Sequence, residues 1–245
     1  MQPYTFALLQ PWVDSARAKG LREIAFTDHD RYHAGIDFDV LDELRVQNPD
    51  IAIRAGIELD NDPTTGAAGR AWVEKHWDRL DFVLGSVHYL TNPEQMFDSV
   101  PAGAGQFEGR DVDEIYADYF GRVQAMAESG LVDCLAHLDL VKIHGHRPRA
   151  ANRDYLERTL DGIAERKLSL ELSTAGWRKP INEHYPTDDI ITLAFAKGIS
   201  FTTASDAHSS AQLGEHYDRL AERIAAAGIR QICIYDRHRA IASAL

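Results

Sequence analysis

The chain has 245 residues, 44% of them hydrophobic, with 26 basic and 38 acidic side chains and a formal charge of −12. That length holds one large α/β domain or two small ones, and the acidic balance argues against nucleic acid as a partner. No apolar run reaches membrane-spanning length and Met1 to Gln10 lacks a secretory leader's pattern, so no membrane partner is expected and the expected compartment is cytoplasmic.

The apolar triplet Ile24-Ala25-Phe26 reads as a strand that runs into Thr27-Asp28-His29. A helix near Phe38 to Val46, a strand from Ile51 to Glu58, a helix from Ala68 to Leu80 and a strand from Phe82 to His88 are expected next. Thr91 to Gly109 carries Pro and Gly clusters without periodicity, which reads as a lid after His88 or as a surface excursion. Asp113 to Ser129 puts Ile115, Tyr116, Tyr119, Phe120, Val123 and Ala127 on one helical face, and Gly130 supplies a stop. A strand from Leu131 to His137, a helix from Arg153 to Arg166 and a strand from Leu168 to Leu172 follow. The last predicted elements are a helix from Asp188 to Lys197 capped at Thr187, a strand from Ile199 to Ala204, a helix from Ala211 to Ala227 and a short strand from Gln231 to Tyr235.

Repeated strand–helix units of this length imply right-handed crossovers and a parallel sheet. Five of the predicted strands end in metal-binding residue types. They deliver His29, Glu58, His88, His137-Leu138-Asp139, and Asp206-Ala207-His208. Side chains alternate along a strand, so an Asp and a His two apart can point into one pocket. Chemistry gathered at C-terminal strand ends suits a closed barrel better than an open doubly wound sheet, whose crevice draws on fewer strands. A polynuclear metal centre is the leading reading. Cys134 and Cys233 sit in apolar runs and are expected as reduced core residues.

In this order, these residues resemble the polymerase-and-histidinol-phosphatase (PHP) metallohydrolases, from about Pro11 to the C-terminus. Three stretches bring the likeness closest to the PHP-type histidinol-phosphatases. They are Asp113-Glu114-Ile115-Tyr116 with Tyr119-Phe120, His137 to Lys142, and Thr174-Ala175-Gly176-Trp177-Arg178-Lys179-Pro180 trailed by Tyr185-Pro186. The resemblance implies a distorted (β/α)7 TIM-like barrel as a single domain, 1-245, with two or three divalent metal ions, zinc, iron or manganese. By motif, Glu58 would bridge two metals and Asp206 would complete the first. His88 and His137 would complete the second, and His29 and His208 would bind the third. The family opens on a His-x-His strand, yet no His precedes His29. The first strand is therefore expected to be missing, through a wrong start, trimming or real loss. Poor metal binding and two exposed sheet edges would follow.

The resemblance implies a phosphomonoesterase acting on L-histidinol phosphate, a small phosphorylated substrate, in histidine biosynthesis; a homo-oligomer stays open. Phosphate monoesters hydrolyse very slowly, and metals answer that barrier by acidifying water and neutralising phosphoryl oxygens. Glu58, Asp206 and His208 are the candidate catalytic residues. Arg178 is the candidate phosphate clamp, with Lys179 second, because a guanidinium fork suits phosphate; the family likeness carries that assignment. Asp139 is read as orienting His137 or capping the next segment, and Glu171 as contacting a substrate amine or making a structural hydrogen bond. The alternatives are another small phosphate ester or nucleotide as substrate, and an inactive, metal-depleted binding protein.

Overall fold

The computed structural model of the chain describes residues 2–90, 95–149 and 153–245. Six strands form its main sheet: β1 (Glu23–Phe26), β2 (Ala52–Leu59), β3 (Phe82–Gly85), β4 (Cys134–Leu135), β5 (Ser169–Ser173) and β6 (Phe201–Ala204). They pair in chain order, every pair parallel. The sheet curls into a half-barrel open between β6 and β1, six strands where the family resemblance implies seven.

Helices separate the strands: α1 (Phe6–Ala18) leads, then α2 (Phe38–Gln47), α3 (Gly66–His76), α4 (Val112–Glu128), α5 (Asp154–Glu165), α6 (Asp188–Ala196) and α7 (Tyr217–Ala226). Local chemistry sets several starts. The Thr5 hydroxyl accepts from the Leu8 N–H at 3.2 Å, and Asp37 and Asp111 cap α2 and α4 in the same way. In α4 the predicted stripe Ile115, Tyr116, Tyr119, Phe120, Val123 and Ala127 is buried. It joins Leu156, Leu160 and Ile163 of α5 and Val83, Leu135, Leu170 and Leu172 of the sheet in one core. Strands covered on both faces read as near-continuous apolar runs, as β2 and β3 do. β2 passes so close to its neighbours that a Cβ at Gly56 would lie 2.8 Å from Thr27 Cγ2 and 3.1 Å from the Phe82 ring. No helix among the described residues is long and apolar enough to cross a membrane.

The structure corrects three sequence expectations. The predicted strand Leu131 to His137 keeps ladder pairing only at Cys134–Leu135, and His137 takes a left-handed φ of 23° that no strand continues through. The helix expected from Ala211 starts at Tyr217, because Gly214 and His216 adopt φ of 66° and 64° and turn the chain first. The final strand β7 (Gln231–Asp236) does not join the parallel sheet. It pairs antiparallel with an unforeseen strand, β8 (Arg239–Ala244), through Arg237 and His238 at φ of 48° and 61°. Two positive φ angles make the favoured hairpin turn, but Asn-Gly is its usual signal and Arg-His conceals it. Cys233 and Tyr235 of β7 pack on Phe82, Leu84, Cys134 and Ala136, in a second cluster on the strands' other face. Tyr235 shares a 2.6 Å hydrogen bond with Ser169 there, and both cysteines are buried and unpaired.

Candidate metal centre

The strand ends converge on one cavity of about 110 Å3. His29, Glu58, His88, His137, Asp206, His208 and Lys179 all line it. Pairing between β1 and β2 continues past the strands as a bridge between His29 and Glu58, closed by the Glu58 N–H on the Asp28 carbonyl at 3.0 Å. That register brings the imidazole and the carboxylate together. His137 and Asp206, at φ of 23° and 45°, both leave their strands in left-handed backbone, a strained geometry that clusters at functional sites.

Glu58 is the hub. Its Oε1 lies 3.3 Å from His137 Nε2 and 3.7 Å from His88 Nε2, and its Oε2 lies 3.7 Å from His29 Nδ1. One ligand atom each from His29, Glu58 and His88 fall within 4.8 Å of one another. Two atoms bound tetrahedrally at about 2.1 Å to one cation sit about 3.4 Å apart, so these separations suit shared ligation better than hydrogen bonding. Glu58 Oε1 and His29 Nδ1 are sealed from solvent without a hydrogen-bond partner. Buried polar atoms are rarely left so, and an ion would satisfy them. The residues therefore fit a divalent cation, with the nitrogen and oxygen donors that zinc, iron and manganese accept.

Charge reinforces that fit. Burial pushes the His88 imidazole down, but Asp60, Asp98 and Glu58 outweigh it and its pKa rises to about 10. Burial raises the Glu58 carboxyl, yet the imidazoles of His29, His137 and His88 hold it well below the usual range. His29 loses more to burial than Glu58 returns, and its pKa falls. Burial, then the Glu58 charge, lifts Asp206. The site thus trades protons among its own groups, and a cation would replace those protons.

Asp60, which the sequence reading passed over, supports this set. It is wholly buried, and its Oδ2 lies 3.0 Å from His88 Nδ1 and 3.2 Å from an Arg31 guanidinium nitrogen. With a cation in place of the second imidazole proton, Asp60 would hold the Nδ1 hydrogen of His88 and leave Nε2, 3.7 Å from Glu58 Oε1, free to ligate, the arrangement carboxylates impose on metal-binding histidines. Its signal was present, because Asp60 follows Glu58 at the two-residue period of one strand face. Asp98 and Tyr185 also line the cavity, and both were missed because neither follows a predicted strand.

Of the other expected residues, some meet the cavity and some do not. Arg178 does not line the cavity. Its guanidinium donates to the Ser205 and Asp206 carbonyls at 2.6 and 2.9 Å and lies 3.6 Å from Glu215, so it braces the loop that carries Asp206. His208 sits at the rim with its side chain 71% exposed. Asp139 neither orients His137 nor caps the next turn. It pairs with the buried Lys142 at 2.9 Å and accepts from the Thr187 N–H at 3.0 Å. Glu171 accepts weakly from the His137 N–H at 3.4 Å, and burial pushes its pKa up to about 7. Of the loop expected over Thr91 to Gly109, residues 91–94 lie outside the described set, while Met96 and Asp98 contribute to the cavity wall.

Known proteins resemble this chain in sequence and in fold. The model of the PHP domain matches residues 7–175. A protein of Deinococcus radiodurans named "Probable histidinol-phosphatase" is 33% identical over 244 residues, covering 93% of this chain and 90% of its own. The histidinol-phosphatase of Lactococcus lactis is 26% identical over 212 residues, covering 80% of this chain and 76% of its own. The crystal structure of a histidinol phosphate phosphatase from Lactococcus lactis, complexed with zinc, L-histidinol and phosphate, superposes with a TM-score of 0.75 at 20% identity, over 95% of this chain and 92% of that one. The chain belongs to the PHP-domain family.

Proposed function

We propose that this protein is a metal-dependent phosphomonoesterase that hydrolyses L-histidinol phosphate to L-histidinol and phosphate, a step of histidine biosynthesis. The observation that carries the reading is the buried Glu58 carboxylate ringed by His29, His88 and His137 at ligand spacing, all four lining one cavity, with Glu58 Oε1 and His29 Nδ1 unpartnered. Its relatives at up to 33% identity over most of the chain carry the histidinol-phosphatase name, which supports the substrate.

In this reading His29, Glu58, His88 and His137 hold divalent cations, with Asp206 and His208 completing the set from the β6 end. Zinc is the first candidate, because it is the metal in the Lactococcus lactis complex. Bound there, such cations supply an acidified water and positive charge for the phosphoryl oxygens. The protein's own contribution is positional. Glu58 fixes the imidazoles around one point, and Asp60 holds His88 in its ligating tautomer. Lys179 and Arg31 add positive charge to the cavity wall, where a phosphate dianion has to be neutralised. Arg178 keeps the Asp206 loop in place through two carbonyl contacts, a positioning role.

The test is phosphate release by purified, metal-analysed protein from L-histidinol phosphate, beside nucleoside monophosphates and sugar phosphates. Turnover of histidinol phosphate that chelation abolishes and zinc restores is the expected result. Protein that binds zinc yet prefers a nucleotide or sugar phosphate would refute the substrate, and protein that folds without binding divalent metal would refute the chemistry.

A further inference from the structure

The wall of the cavity holds one carboxylate that the cation cluster leaves unused. Asp98 lies on the segment after β3, and Phe97 holds that backbone in place. The Phe97 N–H donates to the His88 carbonyl at 2.9 Å, and its own carbonyl accepts from His144 Nε2 at 2.7 Å. The Phe97 ring is wholly buried, edge-on to Tyr119 and Phe107. The carboxylate is thereby carried over the cavity by an anchored residue.

Asp98 Oδ1 is sealed from solvent and has no hydrogen-bond partner among the described residues. The hydroxyl of Tyr185, a wholly buried residue that lines the same cavity, is also without one. An unsatisfied buried carboxylate oxygen is costly, and these two atoms in the lining of one cavity find no partner among the described residues, which leaves them to a ligand. The cationic side chains of the lining are Arg31, from the turn after β1, and Lys179, from the β5–α6 connection that also carries Tyr185. A ligand with a phosphate at one end and a protonated nitrogen at the other has the matching polarity.

We propose that Asp98, with the Tyr185 hydroxyl, forms the subsite for the cationic nitrogen of the substrate and gives the enzyme its preference for amino-bearing phosphate esters over neutral ones. The proposal rests on the reading of the protein as a histidinol-phosphate phosphatase. A rival role exists for the same residue, because the Asp98 charge also acts on His88 and would thereby tune the metal cluster. The two roles separate by substrate. A metal-tuning carboxylate affects every phosphate ester alike, whereas a recognition carboxylate affects only those with a cation.

The experiment compares wild type, Asp98→Asn and Tyr185→Phe on L-histidinol phosphate and on p-nitrophenyl phosphate, with zinc content and melting temperature measured for each. Inhibition by L-histidinol gives a readout of cation binding that needs no turnover. For Asp98→Asn the expected results are a rise of about 10- to 100-fold in KM for histidinol phosphate, the loss of one charge-assisted hydrogen bond, and a matching rise in the histidinol inhibition constant. Its kcat on p-nitrophenyl phosphate and its zinc content stay within about twofold of wild type, and Tyr185→Phe shows a smaller shift of the same kind. Equal losses on both esters, or a loss of zinc, would assign Asp98 to the metal cluster and overturn the proposal. Unchanged histidinol inhibition would overturn it as well, while leaving the proposed function intact. Wild-type protein that cleaves p-nitrophenyl phosphate but not histidinol phosphate would overturn both.

Discussion

Replacing Asp60 by Asn tests whether a residue that does not line the cavity controls metal binding there. The carboxylate is wholly buried, with Oδ2 at 3.0 Å from His88 Nδ1 and 3.2 Å from Arg31, and Oδ1 accepting the Asn61 N–H at 2.7 Å. Asn keeps the volume and one acceptor but loses the charge, so each charge-assisted hydrogen bond, worth about 1.5–3 kcal/mol, falls to the neutral value of about 1 kcal/mol. Its NH2 group also meets donors from His88 and Arg31, which destabilises the tautomer that aims Nε2 at Glu58. Loss of such a support typically weakens metal binding about 10- to 100-fold, or about 1.4–2.8 kcal/mol. Zinc titration against a competing chelator reads this directly. Thermal denaturation reads it independently, because zinc at about 1,000 times its Kd stabilises by about 4.1 kcal/mol and a tenfold weaker site leaves about 2.7 kcal/mol. Zinc affinity within twofold of wild type in Asp60→Asn would refute the positioning argument.

Two further predictions concern the scaffold. Lys142 is 1% exposed and donates to Asp139 and to the His184 carbonyl, so Lys142→Met should cost about 3–5 kcal/mol by leaving Asp139 buried and unpaired; a loss below about 1 kcal/mol in urea unfolding would show that Thr187 alone satisfies the carboxylate. His238 joins the hairpin to the sheet through Asp133 at 2.8 Å and the Trp77 carbonyl at 2.9 Å. Burial lowers its pKa, but Asp133 and the Trp77 carbonyl outweigh that, and the folded value lies above the unfolded one. Its contribution is therefore complete below about pH 6.5 and lost as pH rises through the folded pKa. His238→Gln should destabilise by about 1–2 kcal/mol at pH 5.5 and by clearly less at pH 9; an equal cost at both pH values would show that the imidazole stays neutral.

The site was more legible than the fold's last third. His29, Glu58, His88, His137, Asp206 and His208 could be read because each follows an apolar run, and a parallel sheet sends every strand end to the same side. Asp60 was within reach of the same alternation rule and went unread. Asp98 and Tyr185 belong to segments held by burial of Phe97, by the bridge between Ser173 and Tyr185, and by Lys142 on the His184 carbonyl. No local pattern encodes those contacts. The β7–β8 hairpin escaped because its turn uses Arg237 and His238 where turn chemistry favours Asn and Gly.

The order of strands and helices, the parallel sense of the sheet and the gathering of acids and imidazoles at one mouth are properties of the sequence itself, since hydrophobic period and strand polarity are local. Tertiary structure alone decided that Arg178 faces carbonyls and not the cavity, that Asp60 and not Asp139 pairs with an imidazole of the cavity, and that the last strand turns back as a hairpin. Those outcomes depend on which distant groups meet a side chain at 3 Å, and linear spacing carries no measure of that distance.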